Sequence, residues 1–310
     1  MPASSDPDQP RLVFLGGVGE VGRNMAVLEL AGRAMVIDAG LSFPEVEMLG
    51  IDLVLPDFQY VLDLGDRLEG IVLTHGHEDH VGSLPYLLRE LSLPVFGTKL
   101  TLGLLEGKLV EHGVRDNARF HQVEPGEELS VGPFTIRFHP VSHSIPDGCA
   151  VAIDLPEGVL LHSGDFKLDP TPIDGRPTDL QGIAAEAARG VHVFLSDSTN
   201  AEDPGTTGSE RVVGPALFGI IRDAGQLVVV ACFASHIHRQ PGVVSEVAQL
   251  AVDRDEPAGP DQVEHELELL GGGVPGHVHR RNRHVEHLSA GSIQAIDGAM
   301  DRRLVPGDDG

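Results

Sequence analysis

From Arg11 onward the chain alternates short apolar runs with glycines and polar turns, the pattern of strands bounded by turn signals. Strands are expected at Leu12–Leu15, Met25–Leu30 and Ala34–Ile37, the last two joined by a tight turn at Ala31-Gly32-Arg33. Residues 41–70 form a loop-rich stretch with a candidate helix near Phe58–Leu64, followed by a buried strand at Ile71–Thr74. Apolar spacing of helical period runs over Val81–Leu91 and stops before Pro94. A strand at Val95–Phe96 and a helix over Lys99–His112, ended by Gly113, come next. Four strand-like runs follow at Arg119–Val123, Phe134–His139, Cys149–Asp154 and Val159–Leu161. A helix at about Asp179–Ala188 precedes a strand at Val191–Leu195, and Ser209 caps a helix over Ser209–Asp223 before a strand at Leu227–Cys232. This mixed alternation predicts a layered α/β fold with considerable antiparallel pairing.

After about Arg239 the texture changes. Phe233 is the last aromatic residue, and the 77 residues behind it contain none. Pro257-Ala258-Gly259-Pro260, Gly271-Gly272-Gly273 and Arg280-Arg281-Asn282-Arg283-His284 read as linker or tail sequence. Residues 1–10 read as a polar, disordered arm. The total of 310 residues fits about two domains of roughly 150 residues each.

Composition narrows the classes. No apolar run reaches membrane-spanning length, so no membrane association is expected. The polar start lacks the features of a signal peptide. Two cysteines, Cys149 and Cys232, suit a reducing cytoplasm. With 22 Lys+Arg against 47 Asp+Glu the formal net charge is −25. Such a chain does not hold nucleic acid by bulk charge. Local positive charge would have to come from a metal centre or a small basic groove.

Three of the 16 histidines fall within six residues, and this changes the picture. Thr74-His75-Gly76-His77-Glu78-Asp79-His80 places three imidazoles and two carboxylates at the mouth of a strand. Imidazole and carboxylate suit a borderline cation such as zinc. Alternate residues on an extended turn point to one side, so His75 and His77 can share one metal. Asp79 and His80 lie where the chain turns into a helix and can serve a second metal nearby. His143 follows the strand Phe134–His139, and Asp165 follows Val159–Leu161, both at strand carboxyl ends. Asp38 ends the strand Ala34–Ile37 and is a candidate for orienting a histidine or the nucleophilic water.

Gly17-Val18-Gly19-Glu20-Val21-Gly22 matches a dinucleotide-binding fingerprint, with Asp38 near the place of a ribose-binding acid. Only eleven residues separate Gly22 from the strand at Ala34. That gap holds a hairpin and leaves no crossover helix, so no dinucleotide cofactor is expected.

Together the H-x-H-x-D-H loop, the later His143 and Asp165 resemble the metallo-β-lactamase superfamily. Finer features resemble its ribonuclease J branch: Leu15–Met25, Ile37–Glu45, Leu49–Asp52, Leu55–Asp57, Ser163–Lys167, Ser196–Glu202 and Phe233–Arg239, with His236 where Asn is more usual. The resemblance covers about residues 11–239. It implies an αββα sandwich over 11–208 and the start of an inserted β-CASP domain over 209–240. It also implies metal-dependent cleavage of RNA, by 5′-to-3′ exonuclease and endonuclease action in RNA processing. By position, His75, His77 and His143 would hold one zinc, Asp79 and His80 the other, with Asp165 bridging. Asp79, Asp165 and Asp38 are then the carboxylates of the catalytic machinery. Asp197 matches the acidic residue opening the β-CASP signature. Ser235 and His238 resemble residues lining the nucleotide side, a local helix cap being the other reading of both.

The match fails at Gln240. No Ser-Gly-His loop follows Arg239, and no final metal-binding histidine is recognisable. A truncated or frame-disrupted product is expected, with an incomplete second zinc site, impaired activity and a poorly ordered tail over 241–310. The resemblance admits a homo-oligomer, but nothing predicts one for this chain. Two rivals stay open. One is another hydrolase of the same fold, such as a thioesterase or lactonase. The other is a non-catalytic metal- or RNA-binding remnant.

Overall fold

Two-residue alternation of apolar side chains along the central strands sorts the core into separate layers. In the computed structural model, which describes residues 9–223, strands β1 (Arg11–Gly16), β2 (Met25–Leu30), β3 (Arg33–Ile37), β4 (Leu68–Val72), β5 (Leu93–Gly97) and β6 (Ala118–Gln122) form one sheet in that order. The pairs β1–β2 and β2–β3 are antiparallel, and β3 through β6 run parallel. A second sheet has the order β11-β10-β9-β8-β7, with β7 (Glu128–Val131), β8 (Phe134–Pro140), β9 (Cys149–Leu155), β10 (Gly158–His162) and β11 (Val191–Leu195).

Successive strand residues face opposite sides. Ala26, Leu28, Met35, Ile37, Val72 and Phe96 therefore meet Phe134, Phe138, Val151 and Ile153 between the sheets. Their neighbours Met25, Val27, Ala34, Val36, Ile71 and Val95 face the other way. That outer face packs against α1 (Gln59–Leu64), α2 (Glu78–Val81), α3 (Leu84–Leu87) and α4 (Lys99–Glu111) through residues such as Val61, Val81, Leu87 and Leu105. On the far side, Ala152, Val159 and Leu161 pack with Ile183 of α5 (Leu180–Arg189). The result is the expected four-layer αββα sandwich.

The hairpin reading of the glycine-rich segment holds in the structure. The β2–β3 turn is Ala31-Gly32 at φ 50° and 73°, with Leu30 paired to Arg33. Positive φ at both positions gives the twist that a two-residue hairpin needs.

Three local expectations differ. The single helix over Val81–Leu91 is two short ones, α2 and α3. A Cβ on Gly82 would stand 2.6 Å from Leu41, Ser83 donates its N–H to Ala39, and Pro85 opens the second helix. The break keeps the chain against the loop after β3. β7 is a strand that periodicity did not reveal, because only Leu129 and Val131 of its four residues are partly buried. Ser209 caps a 3-10 turn over Glu210–Val212, and the α-helix α6 spans Val213–Asp223. The expected strand Leu227–Cys232, Ser235, His238 and the tail over 241–310 lie outside the described residues, as does most of the expected arm over 1–10.

Candidate metal centre

Five strand ends deliver the site. Asp38 follows β3, His75 to His80 follow β4, His143 follows β8, Asp165 follows β10 and Asp197 follows β11. Asp38 is fully buried, at φ 57°. This left-handed conformation is one that Asp tolerates better than most residues. The Asp38 N–H donates to Val72 O at 2.9 Å. Its Oδ1 accepts from Thr74 N at 2.8 Å. Its Oδ2 accepts from Thr74 Oγ1 at 2.8 Å and from His80 Nδ1 at 2.7 Å.

A carboxylate only accepts, so these contacts set the hydrogens around it. Thr74 spends its hydroxyl proton on Asp38, and its oxygen therefore accepts from His75 Nδ1 at 3.0 Å. His75 Nε2 is left bare and faces inward. His80 is likewise held at Nδ1, turning its Nε2 toward Asp165 Oδ1 at 3.3 Å and Asp79 Oδ2 at 3.5 Å.

Two ligand groups result. His75, His77, His143 and Asp165 form one, and Asp79, His80 and Asp165 the other, with the donor atoms of each within 4.8 Å of one another. His77 Nδ1 lies 3.1 Å from His75 Nε2 and 3.2 Å from His143 Nε2. Asp165 directs Oδ2 at His143, 3.6 Å away, and Oδ1 at His80. One carboxylate thus serves both groups, one oxygen to each.

The charge states of two of the imidazoles agree with ligation. Burial, with the neighbouring imidazoles, holds His75 well below the usual histidine range. Burial also lowers His143. Both are neutral, the form that binds cations. Burial opposes a charge on His80, yet Asp38, Asp165 and Asp79 hold it well above its ordinary value. Burial opposes ionisation of Asp165, but His80 and the other imidazoles draw it down to about 2. Carboxylates and imidazoles so arranged demand positive charge at their centre.

A cleft of about 690 Å³ opens over the second group, lined by Asp79, His80 and Asp165, by residues 16–22 and by 194–199. Asp197 lies on its wall, where its Oδ1 accepts from Thr199 N at 2.9 Å and fixes the turn.

The sequence over residues 18–201 matches the family described as the metallo-beta-lactamase superfamily. The chain belongs to this superfamily. Among its relatives, Ribonuclease J of Helicobacter pylori is 46% identical over 230 residues, 74% of this chain and 33% of that protein. Ribonuclease J of Thermus thermophilus is 44% identical over 244 residues, 76% of this chain and 43% of that protein. The chain thus spans less than half the length of these two relatives. A solved structure of a protein of unknown function from Enterococcus faecalis V583 shares the fold, with a TM-score of 0.57 at 14% identity over 84% of this chain and 76% of that one.

Within this metallo-beta-lactamase-fold chain, the six side chains expected as ligands converge, and Asp38 orients His80. Three further residues enter the site without having been singled out. Thr74 links Asp38 to His75. Asn24 places Nδ2 3.3 Å from Asp79 Oδ2. His162 accepts from Gly164 N at 2.9 Å and lines the cleft. No local spacing marks them, since each reaches the site through a contact distant in sequence or through strand direction.

Proposed function

We propose that this chain is a metal-dependent hydrolase of the ribonuclease J type, cleaving RNA phosphodiester bonds. The supporting observation is Asp165, whose two oxygens face two separate ligand groups. The extended similarity to relatives named Ribonuclease J supports the choice of RNA as substrate.

His75, His77, His143 and Asp165 would hold one cation, and Asp79, His80 and Asp165 the second. The imidazole and carboxylate donors suit zinc. When bound, such a pair supplies an activated water and neutralises charge building on the phosphoryl oxygens. Asp38 keeps His80 in one tautomer and one orientation, acting as a positioning residue. The wall carrying Asp197 and Thr199 would hold the substrate strand beside the cations. By the resemblance, a β-CASP domain would begin after residue 208, and Ser235 and His238, which lie outside the described residues, would line its nucleotide side. Exonuclease and endonuclease action and a cytoplasmic location complete the reading.

The test is turnover of a 5′-monophosphorylated RNA by the full chain, with and without chelator and beside His77→Ala. RNA shortening abolished by chelator and by the substitution is the expected result. Cleavage indifferent to chelator overturns the reading. Hydrolysis of thioesters or lactones with RNA left intact assigns a different hydrolase. Stoichiometric metal binding without turnover on any of these leaves a non-catalytic binder.

A further inference from the structure

The Gly17–Gly22 segment resembles a dinucleotide fingerprint, and the proposed chemistry gives it no part. We propose that this loop holds the Asn24 carboxamide over the second cation position, where Asn24 is a positioning residue for Asp79. The inference rests on the two-cation reading above and concerns a residue outside both ligand groups.

Asn24 is clamped at its backbone. Its N–H donates to Asp79 O at 3.0 Å, and its carbonyl accepts from Gly40 N at 2.9 Å. Gly40 allows this approach, since a Cβ there would fall 1.5 Å from Asp79 O. The side chain then reaches the site, with Nδ2 3.3 Å from Asp79 Oδ2 and 3.1 Å from His80 Nε2. A carboxylate cannot donate, so the amide nitrogen faces Asp79 and Oδ1 faces away. Oδ1 lies against Gly17, where a Cβ would stand 2.5 Å from it. Gly17 also adopts φ 80°, which side chains rarely take. Its missing side chain therefore leaves the space that the amide fills. Nδ2 contacts Oδ2, the oxygen that also faces His80 Nε2 at 3.5 Å, and so holds the Asp79 carboxylate in one rotamer beside the second group. Partners of this kind orient ligands, and losing one costs about 10–100-fold in metal affinity.

Gly19 is the internal control. Its φ is 74°, and a Cβ there would meet nothing within 4 Å. Gly17→Ala and Gly19→Ala impose similar backbone strain, but only the first pushes on Asn24.

The experiment is titration of the metal-free full chain with Co2+, followed by visible absorption and by competition with a chelator. The unmodified chain should take two equivalents. Asn24→Ala and Gly17→Ala should each weaken the second equivalent by about 10–100-fold. Gly19→Ala should change it less than about threefold, well below that orienting effect. The first equivalent should keep its spectrum and affinity throughout, which a general loss of folding would not allow. Two equivalents with the second unmoved by Asn24→Ala overturn the inference alone. Equal weakening by Gly17→Ala and Gly19→Ala overturns the part given to the loop. An unmodified chain that takes fewer than two equivalents overturns the two-cation reading and this role with it.

Discussion

At the residue scale Asp38 joins the fold to the site. It is fully buried and collects donors from Thr74 N, Thr74 Oγ1 and His80 Nδ1. Asp38→Ala would leave these groups without their acceptor in a dry interior. Each unsatisfied buried donor costs about 1–3 kcal/mol, so the metal-free protein should lose about 3 kcal/mol or more in chemical denaturation. The same substitution frees His80 to rotate, and the second equivalent of metal should weaken by about 10–100-fold. A loss below about 1 kcal/mol, less than one such donor is worth, would show that Asp38 is not the hub the geometry describes.

At the scale of elements, α5 is tied to the outer face of the second sheet by charge as well as by Ile183. Arg137 on β8 donates to Glu186 on α5 at 2.6 and 3.0 Å and to Asp154 on β9 at 2.5 Å. Arg189 adds 2.8 Å contacts to both carboxylates. Glu186 is 3% exposed, so its removal takes two bonds from the poorly exposed Arg137 guanidinium and leaves it Asp154 as its main partner. Glu186→Ala should cost about 3 kcal/mol at neutral pH, in the range for breaking a buried pair. Burial opposes ionisation of Glu186, but Arg137 and Arg189 hold it below its ordinary value. A depressed carboxylate stabilises the fold above its unfolded value, and that contribution is lost as pH falls through the folded one. The gap between the unmodified chain and Glu186→Ala in urea denaturation should therefore be full at pH 7 and narrow below about pH 4, near the usual glutamate value. A gap independent of pH would remove the ion pair as its cause.

At the scale of the whole molecule the issue is how a chain of net charge −25 would hold the polyanion proposed as its substrate. Among the described residues the cleft is lined by no lysine or arginine, and Glu20, Asp79, Asp165 and Asp197 add negative charge. Under the proposed function, attraction for phosphate at this cleft would come from the cations. RNA binding by the full chain, measured by fluorescence anisotropy, should weaken at least tenfold (about 1.4 kcal/mol) when chelator removes the metals. Its dependence on salt should be shallow, because few side-chain cations displace counterions. Affinity unchanged by chelator would point to a basic surface elsewhere on the chain.

The cluster of candidate ligands was legible in the sequence because most of its members crowd locally. His75 to His80 fall within six residues, and His143 and Asp165 sit where predicted strands end. Apolar runs between turn signals likewise announced most of the strands, while the four-layer arrangement was expected from the resemblance. Where burial was weak, as along β7, the pattern fell silent. Where a distant loop pressed on the chain, as Leu41 does on Gly82, one expected helix became two. Local chemistry thus determined which residue types could bind a cation and which elements would carry them. The resemblance anticipated that Asp165 serves both groups, but tertiary structure alone decided that Thr74 passes Asp38's influence to His75 and that Asn24 lies against Gly17 above Asp79. Those are hydrogen-bond and packing choices between segments far apart in sequence, and no spacing along the chain encodes the distance or direction of such contacts.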